Sequence, residues 1–252
     1  TILFSVIVLS FAAPIYAKYI AHTDPFKSNL NGTISINGKD VQLLQPSTTG
    51  LGLGVTPIGP TWNPTKYFLG SDSQGRDVAA RLLYGGRSTL IIGTSAGLLC
   101  VLLSLLIGIF AGYRRGWLDS VLSRLLDIIW AFPVYLLAIS LSVVLLTSGL
   151  SFGFIHFGPG SFALPIFIIG IVYIPYVARP IRAQVLALRE REFVRAAIGT
   201  GAKHSTIVFR EILPNVMPSV IVFIPIIVSL SMLTESALSF LSIGVQPPAA
   251  SW

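Results

Sequence analysis

The chain has 252 residues; 53% are hydrophobic and only 11% are charged, and its mean hydropathy is +0.79. A soluble domain carries about 25% charged residues, so this composition excludes an ordinary soluble enzyme and indicates a polytopic membrane protein. The formal net charge of +7 does not point to nucleic acid, because the basic residues cluster at the ends of apolar runs, where orientation signals belong.

Thr1 to Ala17 carries no charge and approaches the roughly 20 residues a membrane helix needs. Residues 1–20 therefore read as a first transmembrane helix, clipped at its start and ended by Lys18, His22 and Asp24-Pro25.

Residues 21–87 read as an extracytoplasmic loop followed by an amphipathic elbow. From Phe26 onward, Asn-Gly, glycine and proline punctuate the β-prone runs Thr33–Ile36 and Val41–Leu44, which predicts a small hairpin. Two glycine patterns here are rejected as nucleotide sites. Gly32 to Lys39 has five residues between its glycines, and Asp40 stands where a P-loop needs Ser or Thr; Gly50, Gly52 and Gly54 lack a third fingerprint glycine and its strand–helix context. Ser71 or Asp72 offers a cap for a short helix, with Val78, Leu82 and Leu83 on one side and Asp77 and Arg81 as an i, i+4 pair. Its spacing suits an elbow lying on the bilayer.

Residues 88–252 read as a transmembrane core. Ser88 to Tyr113 is uncharged, and Gly93, Gly97, Cys100, Ser104 and Gly108 fall on one helix face. Small faces let helix backbones approach closely in lipid, so Gly93, Gly97, Ser104 and Gly108 are expected to pack helices. Cys100, the sole cysteine, reads as part of that packing and allows no intrachain disulfide.

Arg114, Arg115, Trp117, Asp119, Arg124 and Asp127 form a polar loop and the start of the next helix. Ile128 to Ala178 then lacks any Asp, Glu, Lys or Arg, and the Gly-, Ser- and Phe-rich stretch from Gly149 to Pro165 splits it into two helices. His156, alone in that stretch, fits a structural histidine better than a ligand. Pro133 is placed inside the first helix, and Pro175 and Pro180 near the end of the second; both Pro133 and Pro175 are expected to kink helices along a pathway.

Arg189 to Asn215 is polar yet helix-prone up to Ala196-Ala197. Gly201 is suited to a helix-ending turn, and helical character is expected to resume and stop near Pro214. A helix, tight turn and helix at the membrane surface make a handle for a partner protein. Ile212 to Thr234 reads as a further span. Glu235 follows, expected in the first turn of a short helix that Gly244 ends; its depth makes it a functional suspect, and its position equally suits capping. Basic residues at Arg114, Arg115 and Arg124, and seven more from Arg179 to Arg210, mark one side as cytoplasmic.

Three stretches together resemble the permease subunits of bacterial ATP-binding-cassette importers of the dipeptide/oligopeptide/nickel branch. These are Gly70 to Leu90, Ala111-Gly112-Tyr113 through Ala131-Phe132-Pro133, and Arg189 to Pro248. The family loop has Glu-Ala-Ala, three residues, Gly, nine residues, Ile, one residue, then Leu-Pro. Ala196-Ala197, Gly201 and Leu213-Pro214 fall at those spacings, while Arg195 replaces the Glu and Glu211 the Ile, with Glu192 nearby.

The resemblance implies an all-α type I importer fold, five spans within this sequence and a sixth beyond Trp252. It implies an ATPase-coupling loop over residues 180–215, with Glu192, Arg195, Ala196, Ala197, Gly201, Ala202, Lys203, Leu213 and Pro214 as its site. It further implies a second homologous permease, two ATPase subunits that bind ATP and magnesium, and an extracytoplasmic solute-binding protein, all at the bacterial cytoplasmic membrane. No P-loop, zinc pattern or paired intramembrane carboxylate is present in the sequence, so no catalytic site, cofactor or metal is expected on this chain. The alternatives are an ATP-independent channel or small-solute transporter, which would leave the folded basic loop without a role, and an intramembrane enzyme, for which an Asp pair or a Ser/His pair inside the spans would be expected. The segment from Phe26 to Trp62 has no counterpart in the resemblance; a docking surface and a plain surface loop are both open for it.

Overall fold

The computed structural model describes residues 1–36, 38–47, 54–152, 155–158 and 160–252. It is mostly helical and divides into two compact units, Thr1–Leu90 with Val245–Trp252, and Ile91–Gly244.

In the first unit, helices α1 (Ile2–Phe11) and α2 (Ala13–Ile15) lead into a π-helical turn, Tyr16–Ala21, across a bend of 48°. The helix thus runs past Lys18, which does not end it. The Lys18 ammonium lies 5.3 Å from the Tyr19 ring centroid, a placement its long stem allows without breaking the backbone. His22, at φ 49°, makes the stop instead.

Four short strands follow. β1 (Thr33–Ile36) pairs antiparallel with β2 (Lys39–Gln42), Ile34 opposite Val41, and β3 (Leu44–Pro46) pairs antiparallel with β4 (Val55–Pro57). Ile34, Leu43, Ile58 and Tyr67 form the buried cluster beneath them. Gly50 and Gly52 of the rejected glycine run lie outside the described residues.

The elbow expected over residues 70–90 is not a separate helix. Helix α3 (Val78–Arg114) runs unbroken for 37 residues, because neither Gly85-Gly86 nor any proline stops it. Its cap is Asp77 rather than Ser71 or Asp72: Asp77 Oδ1 accepts from the backbone N–H of Ala79 at 2.9 Å and of Ala80 at 3.2 Å. Its other oxygen accepts from Tyr67 N–H and the Thr23 hydroxyl. Asp77 is therefore occupied, and Arg81 turns to Asp72 at 3.5 Å and to the carbonyls of Pro25 and Pro248. Trp252 closes on the same helix: its indole N–H donates to Leu82 O at 2.7 Å, and its ring fills the space a Cβ at Gly86 would need.

In the second unit, the small face of α3 meets two helices, α7 (Ile174–Arg189) and α10 (Leu213–Phe240). A Cβ on Gly97 would stand 2.9 Å from Val228 Cα, and one on Gly93 3.2 Å from Met232 N. Farther along, a Cβ on Gly108 would meet the Ile181 side chain and one on Gly112 the Arg182 carbonyl. Ser104 Oγ donates to Ile174 O at 3.1 Å, and Cys100 is fully buried beside it.

Helix α4 (Trp117–Trp130) meets α5 (Val134–Ser148) at 90°. Pro133 caps α5 at this corner and does not lie inside a helix: with no N–H and an extended ψ of 130°, it separates the two. Two short strands, β5 (Leu150–Phe152) and β6 (Ile155–Phe157), pair antiparallel before α6 (Ala163–Val172). Ser151 Oγ and His156 Nδ1 are 2.6 Å apart across them. Helix α6 meets α7 at a 44° bend, with Pro175 in the first turn of α7 and Pro180 within it.

Pro214 does not stop a helix either. Helix α9 (His204–Thr206), a π-helical turn (Ile207–Ile212) and α10 form one 37-residue rod. The widened π-turn makes room where the proline ring would press on the carbonyl four residues back. Glu235 is not in a first turn. It is fully buried near the end of α10, where Ser239 Oγ donates to its Oε1 at 2.7 Å. The helix closes at Ser242, whose φ of 60° takes the left-handed place expected of Gly244, with Ser242 N–H on Ser239 O and Ile243 N–H on Leu238 O.

By length and composition, two helices can cross a membrane, Val78–Arg114 and His204–Phe240, or up to five if each bent pair counts as one span.

Candidate functional site

Helix α8 (Glu192–Gly199) stands between α7 and α9. Arg191, extended at ψ 150°, starts it, and Glu192 places its carboxylate in the first turn, where the helix dipole favours an anion. Only Val194 is buried; Glu192, Phe193, Arg195, Ala196 and Ile198 are exposed, and Ala197 is half-buried.

The end of α8 explains why Gly201 is a glycine. Ala202 N–H donates to Ala197 O and Gly201 N–H to Ile198 O, both at 3.0 Å. This pair of bonds closes a helix when the residue between takes a left-handed conformation, and Gly201 has φ 76°. Lys203 then runs extended into α9. Leu213 and Pro214 lie beyond the π-turn at the start of α10, so the structure does not place them on α8 with the other predicted site residues.

Two sets of contacts fix this handle. Glu190, between α7 and α8, joins Arg195 at 2.9 Å and Arg115 at 2.5 Å. The hydrogen bond from Arg195, then that from Arg115, holds its carboxyl below the usual carboxylate range. Tyr113, at the end of α3, supplies the second set. Its hydroxyl lies 2.8 Å from His204 Nδ1, and its carbonyl accepts from Arg189 at 2.9 Å.

Next to them, Arg182 grips Asp119 with two bonds of 2.5 and 2.7 Å, and Arg179 pairs with Asp127 while stacking 4.7 Å from Trp130. These pairs join α4 to α7, and the fork geometry of the Arg182 pair fixes direction as well as charge.

Sequence reasoning missed Glu190, Tyr113, Arg115 and His204. The only signal was the polar composition at the two chain stretches, because the bonded partners are 75 and 91 residues apart. Pro133 and Pro175 sit at helix junctions; Gly93, Gly97, Ser104 and Gly108 sit on the α3 packing face. Among the described residues, no group of three or more His, Cys, Asp or Glu could hold a metal ion. The arrangement is an exposed short helix tied through Arg195 to Glu190, which also holds Arg115 beyond the end of α3, while α7 is tied in turn to α4.

Residues 104–252 match the family described as binding-protein-dependent transport system inner membrane component. Among curated proteins, the chain is similar to the glutathione transport system permease protein GsiD of Pectobacterium atrosepticum, at 36% identity over 186 residues, covering 74% of this chain and 58% of that protein. It is also similar to a putative peptide transport system permease protein of Brucella suis biovar 1, at 36% identity over 208 residues, covering 82% and 64%. Its identity to the dipeptide transport system permease protein DppC of Alkalihalophilus pseudofirmus is 35% over 187 residues, covering 74% and 57%. The chain thus spans less than two thirds of the length of these relatives.

Proposed function

We propose that this chain, which belongs to the family of binding-protein-dependent transport system inner membrane components, is a permease subunit of an ATP-driven importer and forms half of its translocation pathway. In this reading it pairs with a second homologous permease, receives solute from an extracytoplasmic binding protein, and carries no ATPase site of its own; two partner ATPase subunits bind ATP and magnesium. The relatives named for peptides, dipeptides and glutathione support peptides or related small solutes as cargo.

Five spans are assigned to α1–α2 with the π-turn, α3, α4–α5, α6–α7 and α9–α10. Residues 1–20 serve as the first span, 21–87 as the external segment and 88–252 as the core. Junctions at Pro133 and Pro175 lie along the pathway, and residues 180–215 face the bacterial cytoplasm.

The observation that carries the reading is α8, exposed over most of its length and set between two ties: Glu190 holds Arg195 of α8 and Arg115, and the Tyr113–His204 bond joins the end of α3 to α9. Glu192, Arg195, Ala196, Ala197 and the turn at Gly201, Ala202 and Lys203 would enter a groove of the ATPase, and Leu213-Pro214 would carry the push into α10. ATP acts by binding one arrangement of the assembly better than the other.

Gly201 tests this. Nothing lies within 4 Å of a Cβ placed there, so substitution strains only the backbone. Gly201→Leu forces a left-handed leucine, at about 1–2 kcal/mol, whereas Asn tolerates that conformation. In the assembled transporter, Gly201→Leu should uncouple ATP hydrolysis from uptake and Gly201→Asn should preserve coupling. Normal coupling in Gly201→Leu overturns the assignment.

A further inference from the structure

Near the end of α3 and the start of the α9–α10 rod lies an apolar groove of about 320 Å³. Leu106 and Phe110 line one wall, Val208 and Phe209 the other, and Arg114 and His204 stand at its end. The two walls run in opposite chain directions, and the bond between Tyr113 and His204 pins the end of one to the start of the other. The α3 wall changes from apolar to basic towards this end, where Arg114 stands beside His204. On α3 this is a single stripe, Leu102, Leu106, Phe110 and Arg114, at every fourth residue; the three apolar members are 59%, 54% and 52% exposed.

We propose that this groove binds an anionic phospholipid, its acyl chain against Leu106, Phe110, Val208 and Phe209 and its phosphate at Arg114. Charge decides the occupant. No Asp or Glu lines the groove, and Lys203 is exposed next to His204 at the same end as Arg114. Among the described residues, Arg115 is paired with Glu190 and Arg189 with the Tyr113 carbonyl, while none of the ion pairs takes up Arg114. Both walls belong to helices long and apolar enough to cross a membrane, so the apolar part lies at acyl-chain depth and Arg114 at the headgroup level. Basic clefts between membrane helices favour anionic headgroups for this reason. Where the Tyr113 hydroxyl donates to His204 Nδ1, the ring proton sits on Nε2 and can be donated to a second phosphate oxygen. The inference concerns lipid and does not depend on where α8 docks.

The test uses the full-length permease, assembled in phosphatidylcholine vesicles containing photoactivatable phosphatidylglycerol or photoactivatable phosphatidylcholine, with labelled peptides identified by mass spectrometry. Phosphatidylglycerol should label the segments around Phe110 and Phe209 about fivefold more than phosphatidylcholine, the preference expected for one surface cation. Arg114→Gln should abolish that margin and Arg114→Lys should keep it, which separates lost charge from lost fold. Equal labelling by both lipids, or a photoreactive residue at Phe110 that captures another polypeptide instead of lipid, overturns the proposal.

Discussion

At the scale of single residues, Asp72 is held by partners only two and four residues along the chain, and they decide how it titrates. Burial works against its charge, but the backbone N–H groups of Arg76 and Gln74 and the Arg76 guanidinium outweigh it and hold the carboxyl below its usual range. The sign follows from linkage: a carboxylate with a folded pKa depressed below the unfolded value adds stability above the unfolded pKa and loses it as pH falls through the folded one. The loop from Asp72 to Arg76 should therefore stay protected at pH values where an ordinary Asp is half protonated and open only below them. Amide exchange of Gln74 and Arg76 against pH checks this. Opening already at the ordinary Asp pKa, or an Asp72→Asn variant that follows the wild-type profile, contradicts it. Residue-level reading of the sequence had the right region and the wrong partners. Asp77 looked like a helical mate for Arg81 and is a cap; Arg195 looked like a replaced family glutamate and is held by Glu190. Spacing finds neighbours on one helix, but Asp77 lies just before α3 and Glu190 just before α8, outside the helices that the spacing assumed.

At the scale of elements, close helix approach leaves a periodic trace of Gly, Ser and Cys in sequence, and the stripe on α3 has that form. The space confirms how little room there is: at Gly97 a Cβ would reach Val228 backbone atoms at 2.9 and 3.0 Å, and backbone cannot rotate away. Gly97→Val should therefore cost about 1–3 kcal/mol of overpacking strain and lower the unfolding temperature in detergent. Gly199→Ala, where nothing lies within 4 Å and the helix gains propensity, should be neutral or mildly stabilising. Equal Tm values for Gly97→Val and the parent chain would remove α10 from that face. Prolines were the least legible elements. Pro133 makes a corner, Pro175 opens a helix after a bend, and Pro214 is absorbed by a π-turn. The same residue gives three outcomes because the freed carbonyl is dealt with by what packs nearby. Glu235 was misplaced for a related reason: helix α10 runs on past it to Phe240, so no new helix begins there.

For the whole molecule, orientation in the membrane is the property on which every functional statement depends. The class of protein was readable from composition alone, but side is a matter of where the cations fall. Arg114, Arg115 and Arg124 border the α3–α4 junction and seven more basic residues lie from Arg179 to Arg210, whereas Gly149 to Pro165 has no Lys or Arg. Several of these cations are paired with Asp119, Asp127 and Glu190. That pairing does not weaken the signal, because the rule counts Lys and Arg near span ends and Asp and Glu contribute little. With the five spans proposed above, the external segment, residues 21–87, and the loop of residues 180–215 are expected on opposite sides of the membrane. Asp40 on β2 and Ala196 on α8 are both exposed, and Cys100 is buried, so single cysteines can report the sides in a Cys100→Ser background. In intact cells a membrane-impermeant maleimide should label Asp40→Cys at once and Ala196→Cys only after permeabilisation. Addition of the binding protein should protect Asp40→Cys if the hairpin is part of its docking surface, and leave it reactive if the hairpin is only a surface loop. Labelling of Ala196→Cys in intact cells, with Asp40→Cys protected until permeabilisation, would mean that the orientation is inverted and that α8 cannot meet a cytoplasmic ATPase.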